Sequence, residues 1–267
     1  MNTISAVPMQ DRVVIVTGAG SGIGRATTLL LLELGASVFA TDRNPATLEE
    51  TRSIAQSDRL STLTHDVTSE EDWGNALSAV AENGRLDGLV NNAGIMLDGK
   101  FDSSAVDDLR LQYRINVEGP FLGMQSTLPL MRKTIQDHNA HPSIVNVSSI
   151  FGHIAGSHYA AYSASKGAIR MLSKAVAVEL AAEGIRVNSV LPGPTATALG
   201  ASHQPLRDSH GNPLTKEETL ARWTQRIPMG RFGAAVEVAN AIAFLLSDLS
   251  SYATGTEIVL DGAYSAS

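Results

Sequence analysis

Short runs of β-branched and aliphatic residues alternate along this chain with longer stretches whose apolar positions recur at helical spacing. Val13–Thr17, Ser37–Thr41, Leu60–Thr64, Gly88–Asn91, Ser143–Ser148, Arg186–Leu191 and Glu257–Leu260 read as strands. Helical patterns start near Gly22, Pro45, Ser69, Val106, Tyr159 and Ala235. Alternation of this kind predicts a parallel sheet covered by helices on both faces. Right-handed crossovers then give an α/β, Rossmann-like, doubly wound sheet of about seven strands. No internal repeat or low-complexity tract appears, and residues 1–267 read as a single domain. One stretch breaks the rhythm. Residues 195–233 are polar and rich in Pro, Gly and His, with a single helical pattern at Lys216–Arg226. A long insertion after the sixth strand lies on the ligand side of such sheets, so a substrate lid is expected there; a surface excursion without a role is the alternative.

Composition narrows the classes. Hydrophobic residues make up 43% and charged residues 18%, as in ordinary globular proteins. The formal net charge of -7 argues against nucleic acid or an anionic membrane as partner. With no cysteine, disulfides, thiolate catalysis and cysteine metal sites are excluded, and a cytoplasmic setting is the default expectation. Met1 to Gln10 carries no positive cluster or long apolar run and does not read as a signal peptide. The greasiest stretch, around Thr28 to Leu34, is interrupted by Glu33 and is far too short to span a membrane. His138, His141, His153, His158, His203 and His210 form no metal-ligand spacing, so no catalytic metal is expected.

The first strand runs directly into Gly18-Ala19-Gly20-Ser21-Gly22-Ile23-Gly24, and a helical pattern follows from Arg25. Strand, glycine turn and helix together make a phosphate-binding arrangement. Glycines let the backbone approach a pyrophosphate, and the helix start offers free N–H groups and a positive dipole end. The spacing is T-G-x-x-x-G-x-G, with Ile at 23 where the commoner motif has its last glycine spacing. Asp42 closes the second strand, where a carboxylate can accept from both hydroxyls of an adenosine ribose and repel a 2′-phosphate. Ser21, in place of a cation before Gly22, agrees; Arg43 is the dissenting residue. NAD is therefore expected over NADP. Asp66-Val67 and Asn91-Asn92-Ala93-Gly94 end the third and fourth strands on the same edge, where a dinucleotide would lie.

Tyr162-Ser163-Ala164-Ser165-Lys166 places a phenol and an ammonium on one helix face, and Ser149 ends the strand just upstream. With these residues the chain resembles the short-chain dehydrogenase/reductase family, in its compact single-domain branch. The likeness covers about Gln10 to Gly262 and rests on Thr17–Gly24, Asp66, Asn91–Gly94, Asn116, Ser149, Tyr162, Lys166 and Pro192-Gly193. It implies a catalytic set of Asn116, Ser149, Tyr162 and Lys166. The family's reactive serine stands thirteen positions before the tyrosine, which selects Ser149 over Ser148. Tyr159 is set aside because Ser163 stands four residues on. Ala263 stands where the family often has a second glycine.

Chemically, alcohol oxidation needs a base for the hydroxyl proton while hydride leaves carbon. The Lys166 ammonium and a cationic nicotinamide would both favour a Tyr162 phenolate. Ser149 would donate to the substrate oxygen. Lys166 would also hold the nicotinamide ribose. Asn116 would bind a relay water, or serve only as a buried amide in a helix kink. The resemblance also implies that Pro192, Gly193, the Thr195 backbone and the Thr197 hydroxyl hold the carboxamide, and that the protein is a homotetramer.

The implied activity is NAD(H)-dependent interconversion of a secondary alcohol and a ketone. Met96, Phe151, His153, Tyr159 and Leu199 are expected to line the substrate site, which has no cation set to clamp an anion unless Arg207, Arg222 or Arg226 folds inward. A neutral, mostly apolar cyclic or aromatic substrate follows. The alternatives are an NAD-binding regulator without turnover, or an epimerase or dehydratase of the same fold. Enoyl reductases of that fold space Tyr and Lys more widely.

Overall fold

In the computed structural model, residues 9–197 and 214–266 are described. The strands are β1 (Val13–Thr17), β2 (Ser37–Asp42), β3 (Leu60–Thr64), β4 (Gly88–Asn91), β5 (Ser143–Val147), β6 (Arg186–Pro192) and β7 (Glu257–Leu260). They form one parallel sheet in the order β3-β2-β1-β4-β5-β6-β7. The helices are α1 (Gly22–Glu33), α2 (Pro45–Ala55), α3 (Glu70–Ala81), α4 (Val106–Tyr113), α5 (Gly119–His138), α6 (Ala160–Leu180), α7 (Lys216–Gln225) and α8 (Ala235–Leu246). Each predicted strand is present within a residue of its expected ends.

The two faces of the sheet follow from the strand period of two. In β1, Val14 and Val16 join a core with α1 and α8, while Val13 and Ile15 join a second core with α3, α5 and α6. Local chemistry sets several boundaries. The Asn44 side chain accepts from the Ala46 N–H and Pro45 opens α2; Ser69 accepts from the Asp72 N–H at the start of α3. The helical pattern from Val106 runs on through a π turn at Arg114–Glu118 into α5. Nothing in the apolar spacing marks that turn. No described helix is long and apolar enough to cross a membrane.

The chain leaves β1 toward β2 and β3, then returns to β4 on the other side. The crevice at the carboxyl ends of β1 and β4 is therefore the switch point where ligands bind in such sheets. Thr17 and Asn92 stitch it. The Thr17 hydroxyl donates to the Val90 carbonyl and accepts from the Asn92 and Ala93 N–H groups, and the Asn92 amide donates to the Thr17 and Gly18 carbonyls. Gly18 has φ +65°, and a Cβ there would lie 2.8 Å from the Ala93 Cα. A Cβ on Gly24 would lie 2.1 Å from the Gly18 carbonyl oxygen.

Gly24→Ala therefore has no low-energy solution, since the opposing atom is backbone. It is expected to lower stability by about 1–3 kcal/mol. Gly74, in α3, faces open space, so Gly74→Ala should stabilise by about 0.4–1 kcal/mol. Urea unfolding of the two variants checks the contrast, and equal effects would contradict the close approach of α1.

Candidate active site

Two cavities lie along the carboxyl edge of the sheet and share Ile23, Asn92, Gly94, Ile95 and Thr197, so they form one cleft. The first, about 440 Å³, spans the ends of β1, β2 and β3. The second, about 840 Å³, lies over β5 and β6 and under α7.

The first cavity gathers Gly18, Ser21, Gly22, Ile23, Asp42, Arg43, Asp66, Val67, Asn92, Ala93 and Gly94. All were expected at the dinucleotide; Gly24 packs below them instead of lining the cavity. The Ser21 side chain makes no capping bond to α1, which leaves the first-turn N–H groups to an anion. A cradle of backbone donors with no room for side chains fits a pyrophosphate. Asp42 is held in place: one oxygen accepts from the Gly20 N–H at 3.0 Å and the other from the Asn44 N–H at 3.0 Å. Asp66 accepts from the Thr68 N–H and hydroxyl, and these bonds hold its carboxyl below the usual range. Sequence reasoning missed His65, which lies under this cavity. Its Nδ1 is 3.0 Å from the Thr41 hydroxyl, its ring stands edge-on to Trp73, and burial pushes its pKa down. Arg114, from the π turn, also reaches the cavity.

The second cavity holds Ser149, Tyr162 and Lys166, with Pro192, Gly193, Thr195 and Thr197 along the far wall. The two serines after β5 both line this cavity but have different partners. The Ser148 hydroxyl donates to the Lys166 carbonyl at 2.8 Å, whereas Ser149 hydrogen-bonds the Tyr162 side chain. The Lys166 ammonium sits 5.8 Å from the centre of the Tyr162 ring and donates to the Val147 carbonyl at 2.8 Å. Burial dominates both groups: it pushes Tyr162 up to about 12, with the Ser149 bond pulling the other way, and Lys166 down to about 8. Lys166 was expected to lower the phenol. In the protein alone, loss of water raises it and only the Ser149 bond opposes that rise.

Asn116 lines neither cavity. Its amide accepts from the Ile95 N–H and donates to the Ile95 carbonyl and the Ser165 hydroxyl. The side chain expected to hold a relay water is thus committed to bracing the loop after β4 against α6. Below it, Asn91 donates to Asn146, and Asn146 to Ser173, a buried polar chain that the sequence reading did not include.

Met96 and Phe151, expected at the substrate, line the second cavity. His153 does not: it ends the short turn after Ser149 and is exposed. Tyr159 does not reach the cavity either. It stands at the start of α6 and stacks on Phe151 at 4.9 Å, supporting that ring while Tyr162 meets it edge-on at 6.5 Å. Leu199 lies outside the described residues, as does Arg207. Thr219, Leu220, Trp223, Thr224 and Phe232, which sequence reasoning left unassigned, complete the wall. Arg226 does not line the cavity; its guanidinium lies over the Trp223 and Tyr264 rings. Arg231 reaches the wall with both terminal nitrogens on the Glu237 carboxylate, at 2.8 and 2.7 Å.

Residues 18–265 match the family described as enoyl-(acyl carrier protein) reductase. A cyclopentanol dehydrogenase of Comamonas sp. is 38% identical over 264 residues, covering 97% of this chain and 98% of that protein. Among solved structures, a levodione reductase superposes with TM-score 0.89 at 31% identity, covering 97% of this chain and 99% of that one. A 3-ketoacyl-(acyl-carrier-protein) reductase from Brucella melitensis, solved with NADH, gives 0.86 at 28% identity, over 96% of this chain and 99% of that one. These full-length likenesses agree with a cleft that joins an anion cradle to a buried serine, tyrosine and lysine. The chain belongs to the short-chain dehydrogenase/reductase family, as an alcohol dehydrogenase or ketoreductase using a nicotinamide cofactor.

Proposed function

We propose that the protein interconverts neutral, mostly apolar cyclic secondary alcohols and their ketones, with NAD(H) as cofactor. The observation that carries this reading is the second cavity. It is roomy enough for a ring, walled by Met96, Phe151, Leu220, Trp223 and Phe232, and opens onto the Tyr162 hydroxyl. Among the described residues, its charged groups are Lys166, placed under Tyr162, and Arg231, paired with Glu237. A similar protein that is named for a cyclic alcohol, cyclopentanol, supports the same class.

In this reading Tyr162 takes the carbinol proton during oxidation and returns it during reduction. Ser149 donates to the substrate oxygen and orients the phenol. Lys166 holds the ribose beside the ring and places a positive charge under the phenol, while Asn116 positions the surrounding loop. When bound, the nicotinamide supplies the hydride acceptor and, oxidised, a charge that favours phenolate. Gly18, Ser21, Gly22, Ile23, Ala93 and Gly94 hold the dinucleotide, with Gly24 packing beneath. Pro192, Gly193, Thr195 and Thr197 orient the carboxamide. The segment 195–233 acts as the substrate lid, supported by α7 lying on the cavity. A homotetramer belongs to the same reading; Ala160, Ala164, Met171 and Val178 lie exposed along α6, a face suited to another helix.

The preference for NAD rests on Asp42, whose fixed carboxylate leaves no neutral space for a 2′-phosphate. Catalytic efficiency with NAD should exceed that with NADP by about tenfold or more, some 1.4 kcal/mol. Asp42→Ala should narrow the ratio mainly by removing repulsion. Equal efficiency in the wild-type protein would show that Arg43 and Arg114 outweigh the carboxylate.

Tyr162→Phe should abolish turnover while cofactor binding, read by fluorescence titration, stays near wild type. Lys166→Ala should damage both. Because burial raises Tyr162, the phenolate is scarce at neutral pH, so oxidation should speed up as pH rises and reduction should slow. A pH-independent oxidation rate, or an active Tyr162→Phe variant, would contradict these roles.

Substrate class is tested with ring alcohols that differ only by one carboxylate. The neutral member of each pair should have the higher kcat/KM. A preference for the acid, lost in Arg226→Gln or Arg231→Gln, would overturn the neutral cavity.

A further inference from the structure

Trp223 forms part of the cavity wall, yet it belongs to α7, a helix whose remaining surface is mostly exposed. What fixes the indole lies behind it, at the end of the chain. Tyr264 is buried, and its ring stacks on Trp223 with centroids 6.4 Å apart and planes inclined by 27°. The Arg226 guanidinium lies 5.6 Å from the Trp223 ring centre and 5.0 Å from that of Tyr264, and so covers the pair from the solvent side. Ile227 and Ile150 pack with Tyr264 in one small core, separate from the two cores of the sheet. Ile150 directly follows Ser149. This satellite core therefore joins three segments: the turn after the serine, the substrate-side helix and the C-terminal turn.

The C-terminal turn is itself held firmly. Gly262 and Ala263 both adopt left-handed backbone, at φ +61° and +69°. Glycine does so freely, whereas alanine does so against its own Cβ, and here the surroundings impose it. The Asp261 carboxylate accepts from the Ala263 N–H at 2.9 Å and from the Ser265 N–H at 2.8 Å, which closes the turn. The Met229 N–H donates to the Gly262 carbonyl, and a Cβ on Gly262 would strike the Ile227 side chain at 2.8 Å. On its other side the turn presses on Gly193, where a Cβ would come within 2.5 Å of Asp261. Both ends of the insertion meet in a bridge between Thr195 and Gly233. Beyond that neck, the aromatic stack ties α7 to the body of the protein.

The geometry points to Tyr264 as a positioning residue for substrate recognition: with Arg226 it sets the face that Trp223 presents to the cavity, and so the size of ring admitted. This rests on the cavity of the proposed function being the substrate site. The residue lies far from the reacting hydroxyls in sequence and need not touch substrate. Its loss should loosen the wall without altering the Tyr162, Ser149 and Lys166 arrangement or the dinucleotide cleft.

Two readouts on the full-length protein test this. Trp73, the other tryptophan, is fully buried with its indole N–H on the Val67 carbonyl, so acrylamide quenching reports Trp223. In the absence of substrate, with or without NAD, Tyr264→Ala should raise the quenching constant by about twofold or more, and Tyr264→Phe should match wild type. With cyclopentanol as substrate, Tyr264→Ala should raise KM by about fivefold or more while kcat and the KM for NAD stay within about twofold. Arg226→Gln, at an exposed position, should move both readouts the same way by smaller steps. It decides the matter if circular dichroism shows Tyr264→Ala unfolded. Unchanged quenching in a folded Tyr264→Ala, or in Arg226→Gln if the alanine variant unfolds, would overturn the assignment. So would an equal loss of kcat and of NAD binding. If the wild-type protein does not turn over cyclopentanol, it is the proposed substrate class that fails, and quenching still decides the role of Tyr264.

Discussion

The cleft depends on one close approach: α1 packs against the turn after β1 and the Asn92 amide with no Cβ of its own at the contact. Gly18 and Gly24 remove the Cβ atoms that would meet Ala93 and the Gly18 carbonyl, and Thr17 with Asn92 satisfies the backbone groups this leaves exposed to one another. Because the strand order reverses at this point, the start of α1, the carboxyl end of β2 and the loop after β4 converge on one edge. Asp42 is then placed by the glycine turn itself, through the Gly20 N–H.

Ser149, Tyr162 and Lys166 lie on the other side of that edge, just after β5 and on α6, and burial opposes the charged forms of Tyr162 and Lys166. Burial raises Tyr162 to about 12 and lowers Lys166 to about 8, so in the protein alone the phenol is neutral while the lysine still carries its charge at neutral pH. In the proposed function, a cationic cofactor ring would shift the phenol toward phenolate. Around it, polar side chains serve as braces. Ser148 secures the Lys166 backbone, Asn116 ties the loop after β4 to Ser165, and the Asn91, Asn146 and Ser173 chain fixes the strands below. Each is buried with its partner supplied, and so it rigidifies the site instead of weakening the core.

The wall of the second cavity follows a different logic. It is assembled from segments distant in sequence, and its aromatic members support one another: Tyr159 behind Phe151, Tyr264 behind Trp223. Arg226 and Arg231, which as lone cations would favour an anionic substrate, are turned to a ring face and to Glu237. Among the described residues the substrate-side wall is mostly apolar, although both cations lie close to it.

The sequence by itself determined the elements, their parallel order and the dinucleotide edge, because strand period, crossover handedness and glycine spacing are local properties that survive in one dimension. The family resemblance singled out Ser149, Tyr162 and Lys166, and the structure brings all three to one cavity. Side-chain direction needed three dimensions. Whether Asn116 meets a water or the Ile95 backbone depends on a π turn that leaves no mark in the apolar pattern. Tyr159 and His153 are near Tyr162 and Ser149 in sequence, yet a helix start and a turn carry them out of the cavity. Trp223, Phe232 and Tyr264 were illegible for the opposite reason. Only the path of the insertion and the C-terminal turn brings them to Phe151, and contacts of such long sequence separation are set by packing, not by any local pattern.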